Sequence, residues 1–128
     1  MTESHMLAYA AALTWIMIMA SAMLRTNGSL ALMFSNRDNL PPPSLLADRA
    51  DRAAKNMIEN LVLFVAAYLA AKSAGATGWK VEHGAQLFVA ARVLYFGLYL
   101  AGVKVARTIA WFVGVIGIAM LIVAALAH

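Results

Sequence analysis

The sequence predicts an all-α integral membrane protein whose four transmembrane helices pack as a bundle. Of its 128 residues, 63% are hydrophobic and only 12% are charged, whereas a soluble domain is about half apolar and about a quarter charged. The apolar residues also lie in four long runs, about twice the length of a transmembrane strand, so helices are favoured over a β-barrel. Lipid is therefore the expected surroundings of most of the surface.

The four apolar runs define the expected helices. The first spans residues 6–24, is apolar on all sides, and at about 1.5 Å per residue is long enough to cross a hydrocarbon core of about 30 Å. The second spans 45–71, with Asp48 near its N-terminus, where a carboxylate suits the helix dipole. The third and fourth span 81–103 and 107–127. Together they form one four-helix domain over residues 1–128.

The connections between the runs contain residues that interrupt helices. The first connection, 25–48, holds Asn27-Gly28 and the triple proline 41–43, which cannot lie inside a helix. Within it, the apolar stretch 30–34 is suited to the membrane interface. Glycines at 75 and 78 separate the second and third runs. Four further glycines are expected to permit close helix packing: Gly97, Gly102, Gly114 and Gly117.

Basic residues are unevenly distributed between the two ends of the predicted bundle. Lys72 and Lys80 lie at one end, and seven of the ten basic residues lie in or beside the first and third connections. The positive-inside rule places that seven-residue end in the cytoplasm and both termini outside, in an inner or plasma membrane. Because these residues flank apolar runs, we do not interpret the net charge of +4 as a nucleic-acid surface. The seven are Arg25, Arg37, Arg49, Arg52, Lys55, Lys104 and Arg107.

The absence of cysteine excludes several classes of site. There can be no structural disulfide, no thiolate metal site and no protein thiol nucleophile. His5, His83 and His128 show no metal-ligand spacing, so no metal site is predicted. The three tryptophans, Trp15, Trp79 and Trp111, are interpreted as interfacial or packing aromatics.

Two polar stripes interrupt otherwise apolar segments. In the second segment, Arg52, Lys55, Asn56 and Glu59 follow the spacing i, i+3, i+4, i+7 of one helical face. In the third segment, Arg92, Tyr95 and Tyr99 follow i, i+3, i+7. A charge at the centre of a span costs at least about 2.5 kcal/mol on insertion scales. Both stripes therefore require an explanation.

A structural and a functional explanation are both open. In the structural one, Glu59 pairs with Arg92 across helices, Asn56 makes an interhelical hydrogen bond, and the other cations anchor the helix ends at the headgroups. In the functional one, the stripes line an anion-binding cleft, because guanidinium groups bind carboxylates well. Glu59 would then hold an amino group, and Arg107 would add a cation at the mouth. Such a cleft suits a small zwitterion with more than one carboxylate.

The same residues resemble a known family. The stretch 49–64 contains Arg52-Ala53, Asn56 and Glu59 in the pattern R-A-x-x-N-x-x-E. It is similar to the second-helix signature of the MAPEG family, the membrane-associated proteins in eicosanoid and glutathione metabolism. The stretch 92–102, followed by Arg107, resembles the third- and fourth-helix signature. The resemblance extends from residue 45 to the C-terminus, and the chain is most similar to bacterial-type members.

The resemblance implies a homotrimer that binds glutathione as co-substrate at a subunit interface facing the cytoplasm. Arg107 matches the arginine that stabilises the glutathione thiolate, which would be the catalytic role. Lys55 stands where a basic residue is usual, and Leu63 stands where the family often has proline. The positions that match the glutathione-binding residues, or that line the same site, are Arg52, Lys55, Asn56, Glu59, Arg92, Tyr95 and Tyr99.

Three functions compete. The first is a glutathione-dependent transferase or peroxidase that acts on a lipophilic electrophile reaching it from the bilayer. The second is a non-catalytic scaffold, accessory subunit or lipid-binding protein, in which Lys55 and Leu63 mark a decayed site. The third is a small proton-coupled exchanger; such proteins carry an acid in the first helix, and none lies between His5 and Arg25. The expected partners are membrane lipids and further copies of the chain in a homotrimer, together with a lipophilic small-molecule substrate if the protein is an enzyme.

Overall fold

The computed structural model describes residues 3–128, and over that range it consists of helices and the connections between them. Four helices are long and apolar enough to cross a membrane, so the predicted all-α chain with four membrane-length helices is confirmed. Between the first two of them lies one short helical turn. The helices are α1 (Glu3–Arg25), α2 (Leu30–Met33), α3 (Leu45–Ser73), α4 (Trp79–Ala101) and α5 (Lys104–Leu126).

The four long helices alternate in direction, so the connection between α1 and α3 and the turn between α4 and α5 lie at the same end of the bundle. At this end the N-terminus of α3 meets the C-terminus of α4, where Arg49 Nη1 donates to the Leu100 carbonyl at 3.4 Å. We call it the basic end, because it carries the seven basic residues from Arg25 to Arg107 named above. The basic residues that the sequence concentrates in the first and third connections therefore lie together at one end of the fold.

The turn between α4 and α5 is tighter than the sequence predicted. The third segment was expected to run to residue 103 and the fourth to begin at residue 107, whereas α4 ends at Ala101 and α5 begins at Lys104. Gly102 takes a left-handed conformation with φ of 78°, and Val103 N donates to the Leu98 carbonyl at 3.0 Å. These features are those of a glycine helix cap. As a result, Arg107 lies in the first turn of α5, close to the end of α4.

Capping and backbone geometry also define the long first connection. Ser44 caps α3 by accepting a hydrogen bond from Ala47 N at 3.0 Å, directly after the triple proline. Asn27 and Gly28 both have positive φ after α1, as expected for an Asn-Gly turn. The stretch predicted to lie in the membrane interface forms α2, and its flanking Phe34 is 88% exposed.

Small residues bring α4 and α5 into close contact. A Cβ atom at Gly117 would lie 2.6 Å from the Gly84 carbonyl oxygen and 2.9 Å from Phe88 N, both backbone atoms. Gly114 also faces α4, whereas Gly97 faces open space. Within the chain, the expected packing role is thus observed for Gly114 and Gly117 and not for Gly97.

The interior between α3 and α4 is aromatic and apolar. Phe64 and Phe88 are fully buried and stack with ring centroids 4.2 Å apart. Large apolar side chains also cover the outside of all four long helices, as shown by Trp15 and Leu63, which are 67% and 57% exposed. An outer surface of this kind needs lipid or another protein surface to cover it.

We predict that Gly117→Ala destabilises the protein and that Gly97→Ala does not. The added methyl group at position 117 meets the backbone of α4, which cannot move aside, so overpacking should cost about 1–3 kcal/mol. At position 97 the methyl group enters open space, and alanine is the better helix former by about 1 kcal/mol. Thermal unfolding of both variants in the same detergent measures the difference. Equal midpoints would contradict the close α4–α5 contact.

Candidate functional site

Three helices meet around Tyr99 at the basic end. Arg52 Nε, on α3, donates to the Tyr99 hydroxyl at 3.1 Å. Arg107 Cζ, at the start of α5, lies 4.4 Å from the centroid of the Tyr99 ring. Such a stack is favourable because the ring face is electron-rich. One tyrosine therefore holds two guanidinium groups from two other helices, and both guanidinium groups retain free hydrogen-bonding capacity.

The local sequence explains why these groups converge. The Gly102 turn ends α4 just after Tyr99 and starts α5 just before Arg107. Arg49 lies against the same turn: a Cβ atom at Gly102 would lie 2.7 Å from Arg49 Nη2. Since Arg49 and Arg52 lie one helical turn apart on α3, the contact of Arg49 with the turn also places Arg52 beside Tyr99.

Next to this cluster is a cavity of about 250 Å³ that opens at the surface of the bundle. It is slightly smaller than the usual ligand pocket of about 300–1,000 Å³, and it is open on one side. Four of the residues predicted from the sequence lie in its wall. Its lining is Asn56, Tyr95, Tyr99, Arg107, Thr108 and Trp111.

Two lining residues were not predicted to be functional. Thr108 follows Arg107 directly, and its hydroxyl donates to the Lys104 carbonyl at 3.0 Å. Trp111, interpreted from the sequence as a packing or interfacial aromatic, has a buried Nε1 with no hydrogen-bond partner among residues 3–128. Its position four residues after Arg107 puts both on one face of α5. That spacing is the signal that could have identified it.

Arg92 lies behind the cavity wall and is only 1% exposed. Its Cζ lies 4.1 Å from the centroid of the Tyr95 ring, and the Tyr95 and Tyr99 rings meet edge to face at 5.5 Å. Arg92, Tyr95, Tyr99 and Arg107 thus form a continuous row of guanidinium, ring, ring and guanidinium. In the described part of the chain, Nε and Nη2 of Arg92 have no hydrogen-bond partner.

The polar stripe on α3 is divided between different neighbours. Asn56 faces the cavity and accepts hydrogen bonds from Asn60 Nδ2 through its carbonyl at 2.9 Å and its side-chain oxygen at 3.2 Å. Glu59 is exposed on the outer face of the chain and does not pair with Arg92, whose Nε and Nη2 have no partner. The structural explanation based on that pair is therefore not realised within one chain.

Lys55 lies away from the Tyr99 cluster. It forms an ion pair with Asp51 at 2.9 Å, and the two side chains are 71% and 47% exposed. Such surface pairs contribute about 0–1 kcal/mol. Lys55 lines a separate groove against α1. Of the eight residues predicted from the sequence, the structure brings six together, and it places Glu59 and Lys55 elsewhere on α3.

We predict that Arg92→Met stabilises the protein in the absence of ligand. A buried guanidinium with two unpaired donors carries a desolvation cost, and a methionine of similar length removes that cost while filling the space. Replacing even a buried ion pair by apolar residues of similar volume is often neutral or stabilising by about 1–4 kcal/mol, and two donor nitrogens of Arg92 have no partner within residues 3–128. Thermal unfolding of the ligand-free protein in detergent measures the change. A marked loss of stability would show that Arg92 has a strong partner in the assembled protein.

The comparisons with known proteins agree with the resemblance noted in the sequence. The model of the MAPEG family matches residues 5–127, which includes α3, α4 and α5 in full and α1 from its first turn. No curated protein and no solved structure matches the chain. The sequence signatures of the family's second, third and fourth helices lie here in α3, α4 and α5. Since the family match also covers nearly the whole chain, the protein belongs to the MAPEG family.

Proposed function

We propose that the protein is a membrane glutathione-dependent transferase or peroxidase that acts on lipophilic electrophiles. The observation that carries this proposal is the convergence of Arg52 and Arg107 on Tyr99 at the mouth of a cavity. Two cations and an aromatic wall suit an anionic ligand with apolar parts. Membership of a family concerned with eicosanoid and glutathione metabolism supports glutathione as that ligand.

Each group of glutathione has a suitable side chain at or near the site. Arg52 presents a guanidinium group for a carboxylate, and Asn56 offers an amide in the cavity wall. Tyr95 and Tyr99 provide flat walls, and Arg92 lies behind Tyr95. In this proposal Glu59 binds the amino group, and Lys55, which stands where the family usually has a basic residue, binds a carboxylate. Both then act from the surface of α3 that a second subunit covers.

Arg107 is the proposed catalytic residue because a guanidinium beside a thiol favours the thiolate. The thiol proton passes to water. The thiolate sulfur then forms a bond to the electrophilic carbon of the second substrate. In a substitution the leaving group departs with its electron pair, and in an addition the electron pair of the double bond moves to the neighbouring atom. With a lipid hydroperoxide, the sulfur instead attacks the O–O bond and releases the alcohol. A second glutathione then completes a disulfide and releases water.

A homotrimer is part of the proposal, and two features support an assembly of some kind. The carboxylate of Glu59 is exposed near the middle of a helix long enough to span a membrane, and a charge facing lipid at that depth is costly. The cavity beside Tyr99 is also open on one side. A neighbouring subunit that packs on this face would cover the charge and close the cavity.

We further propose that the basic end faces the cytoplasm, with both termini outside. The positive-inside rule supports this orientation, because Lys72 and Lys80 are the cations at the opposite end. Glutathione would then reach the site from the compartment on the basic side. A reporter enzyme that is active only in the cytoplasm, fused after His128, should therefore be inactive. Reporter activity would show the opposite orientation.

Arg52→Ala and Glu59→Ala are predicted to weaken glutathione binding, whereas Lys80→Ala leaves it unchanged. A hydrogen bond to a charged group contributes about 1.5–3 kcal/mol, so each of the first two changes should raise the dissociation constant at least tenfold. Lys80 lies at the other end of the bundle and is the matched control. Calorimetric titration of the purified protein gives the three affinities. Three equal affinities would refute the assignment of the site.

Arg107→Ala is predicted to abolish most of the activity while leaving glutathione bound. Loss of a nearby cation should raise the pKa of the bound thiol by about 1–3, and loss of one stabilising group typically lowers kcat about 100- to 1,000-fold. Thiolate absorbance of the complex as a function of pH and turnover of a chlorodinitrobenzene substrate measure the two effects. Lys104→Ala, in the same turn of α5 but outside the cavity lining, is the control.

A second candidate function is a non-catalytic MAPEG scaffold, accessory subunit or lipid-binding protein. Two observations favour it: Lys55 is paired with Asp51 away from the cavity, and Leu63 stands in a continuous α3 where the family often has proline. Under this hypothesis Arg107→Ala would equal the unmodified protein in every glutathione assay. The same experiment therefore distinguishes the two functions.

A further inference from the structure

The C-terminus of α4 receives its cation from another helix. α4 has no basic residue in its own last turn, although the last carbonyl groups of a helix carry partial negative charge and lack intrahelical donors. Arg49 on α3 supplies both a charge and a donor there, since its Nη1 donates to the Leu100 carbonyl at 3.4 Å. Within residues 3–128 Arg49 takes part in no ion pair, so the negative end of α4 is the group that faces its charge.

Gly102 provides the space for the Arg49 guanidinium group. A Cβ atom at position 102 would lie 2.7, 2.8 and 2.9 Å from Nη2, Cζ and Nη1 of Arg49, all closer than a Cβ contact allows. Because the three distances are nearly equal, the guanidinium group faces the glycine with its flat side. Glycine is thus needed here both for this contact and for its φ of 78°. Arg49 holds α3 against the turn between α4 and α5.

The same turn carries two residues of the candidate site. The Tyr99 carbonyl accepts a hydrogen bond from Gly102 N at 3.1 Å, so the backbone of Tyr99 is part of the turn. Arg107 follows in the first turn of α5, with its Cζ 4.4 Å from the centroid of the Tyr99 ring. Arg52 Nε, on α3, donates to the Tyr99 hydroxyl at 3.1 Å. A movement of the turn relative to α3 would therefore disturb both contacts of Tyr99.

The arrangement around Tyr99 brings like charges together. Arg52 approaches the hydroxyl of the ring and Arg107 its face, and two cations repel each other. The first turn of α5 also has no acidic residue, and the positive end of a helix disfavours a cation. In the ligand-free protein both effects favour movement of Arg107 away from the ring. A contact that fixes the turn opposes that movement.

We propose that Arg49 is a positioning residue for the site at Tyr99. By holding the turn between α4 and α5 on α3, it keeps Arg107 on the ring of Tyr99. It does so without contacting the ligand, since it lies outside the cavity lining. One consequence rests on the proposed function: Arg49 would keep Arg107 beside the glutathione thiol and so favour the thiolate indirectly. The positioning itself is independent of glutathione.

Fluorine NMR of the ligand-free protein labelled with 3-fluorotyrosine tests the positioning. The chain has four tyrosines, and the Tyr99 signal is identified by its loss in Tyr99→Phe. Arg49→Gln removes the charge and the flat guanidinium group, so it should move the Tyr99 signal in the same direction as Arg107→Ala. Arg49→Lys keeps the charge and should move the signal less. Lys104→Gln removes a charge from the start of α5, outside the cavity lining, and is the matched control that should leave the signal in place.

Thiolate absorbance of the glutathione complex tests the chemical consequence. Arg49→Gln should raise the pKa of the bound thiol by about 1, the lower end of the range for a lost cation, and Arg49→Lys should restore part of the difference. In an Arg107→Ala background, Arg49→Gln should cause no further rise, because Arg49 acts through Arg107 and the two changes are then not additive. A general loss of stability would not change the pKa of a bound thiol.

Three results would overturn the proposal. A Tyr99 signal that Arg107→Ala moves and Arg49→Gln leaves in place would show that the turn holds without Arg49. A signal that neither variant moves would show that Arg107 does not lie on the ring. Equal rises in the thiol pKa with and without Arg107 would show that Arg49 acts directly through its own charge. Failure of glutathione to bind would contradict the proposed function alone, because the NMR comparison is made without ligand.

Discussion

The close contact of α4 and α5 positions most of the candidate site. Because Gly117 lies directly against the backbone at Gly84 and Phe88, the two helices run together up to the Gly102 turn. That turn places Arg107 over the ring of Tyr99. Arg49 and Arg52 on α3 then contact the turn and the Tyr99 hydroxyl. The close α4–α5 contact and the Gly102 turn together place the guanidinium groups of Arg52 and Arg107 at one end of the bundle.

Arg92 illustrates how the fold retains a group that does not stabilise it. The side chain is buried between α4 and α5, where its Cδ would lie 3.6 Å from a Cβ atom at Gly114. Its contact with Tyr95 offsets part of the desolvation cost, because a desolvated cation–π pair contributes about 2 kcal/mol. Two of its donor nitrogens still have no partner in residues 3–128. Costly polar groups of this kind are typical of functional sites in membrane proteins.

The basic end separates its charges into two environments. Around Tyr99, Arg52 and Arg107 are held by an aromatic side chain, in a cavity wall that also contains Asn56 and Trp111. Against α1, Arg25 and Arg37 are held by backbone carbonyls above an aliphatic groove. The first environment suits a small ligand with polar and apolar parts, whereas the guanidinium groups of the second donate to neutral backbone carbonyls.

The sequence by itself determined the fold class, the four long helices, the end of the bundle that carries most basic residues, and the family. Each of these depends on composition, periodicity or local motif. It also identified Arg52, Asn56, Arg92, Tyr95, Tyr99 and Arg107, which the structure brings together. Helical spacing shows which residues share a face, but a stripe covers a wide arc of the helix surface. It therefore could not show that Lys55 turns towards α1 while Arg52 turns towards α4.

Only the tertiary structure decided those partners, since they depend on which helix packs on each side of α3. It likewise decided that Gly117 is a contact and Gly97 is not, although both are single glycines in apolar helices. Thr108 and Trp111 entered the cavity wall for the same reason: the rotation of α5 about its axis is set by the Gly84–Gly117 contact. Local sequence specifies a helix and its faces, whereas packing between helices specifies what each face meets.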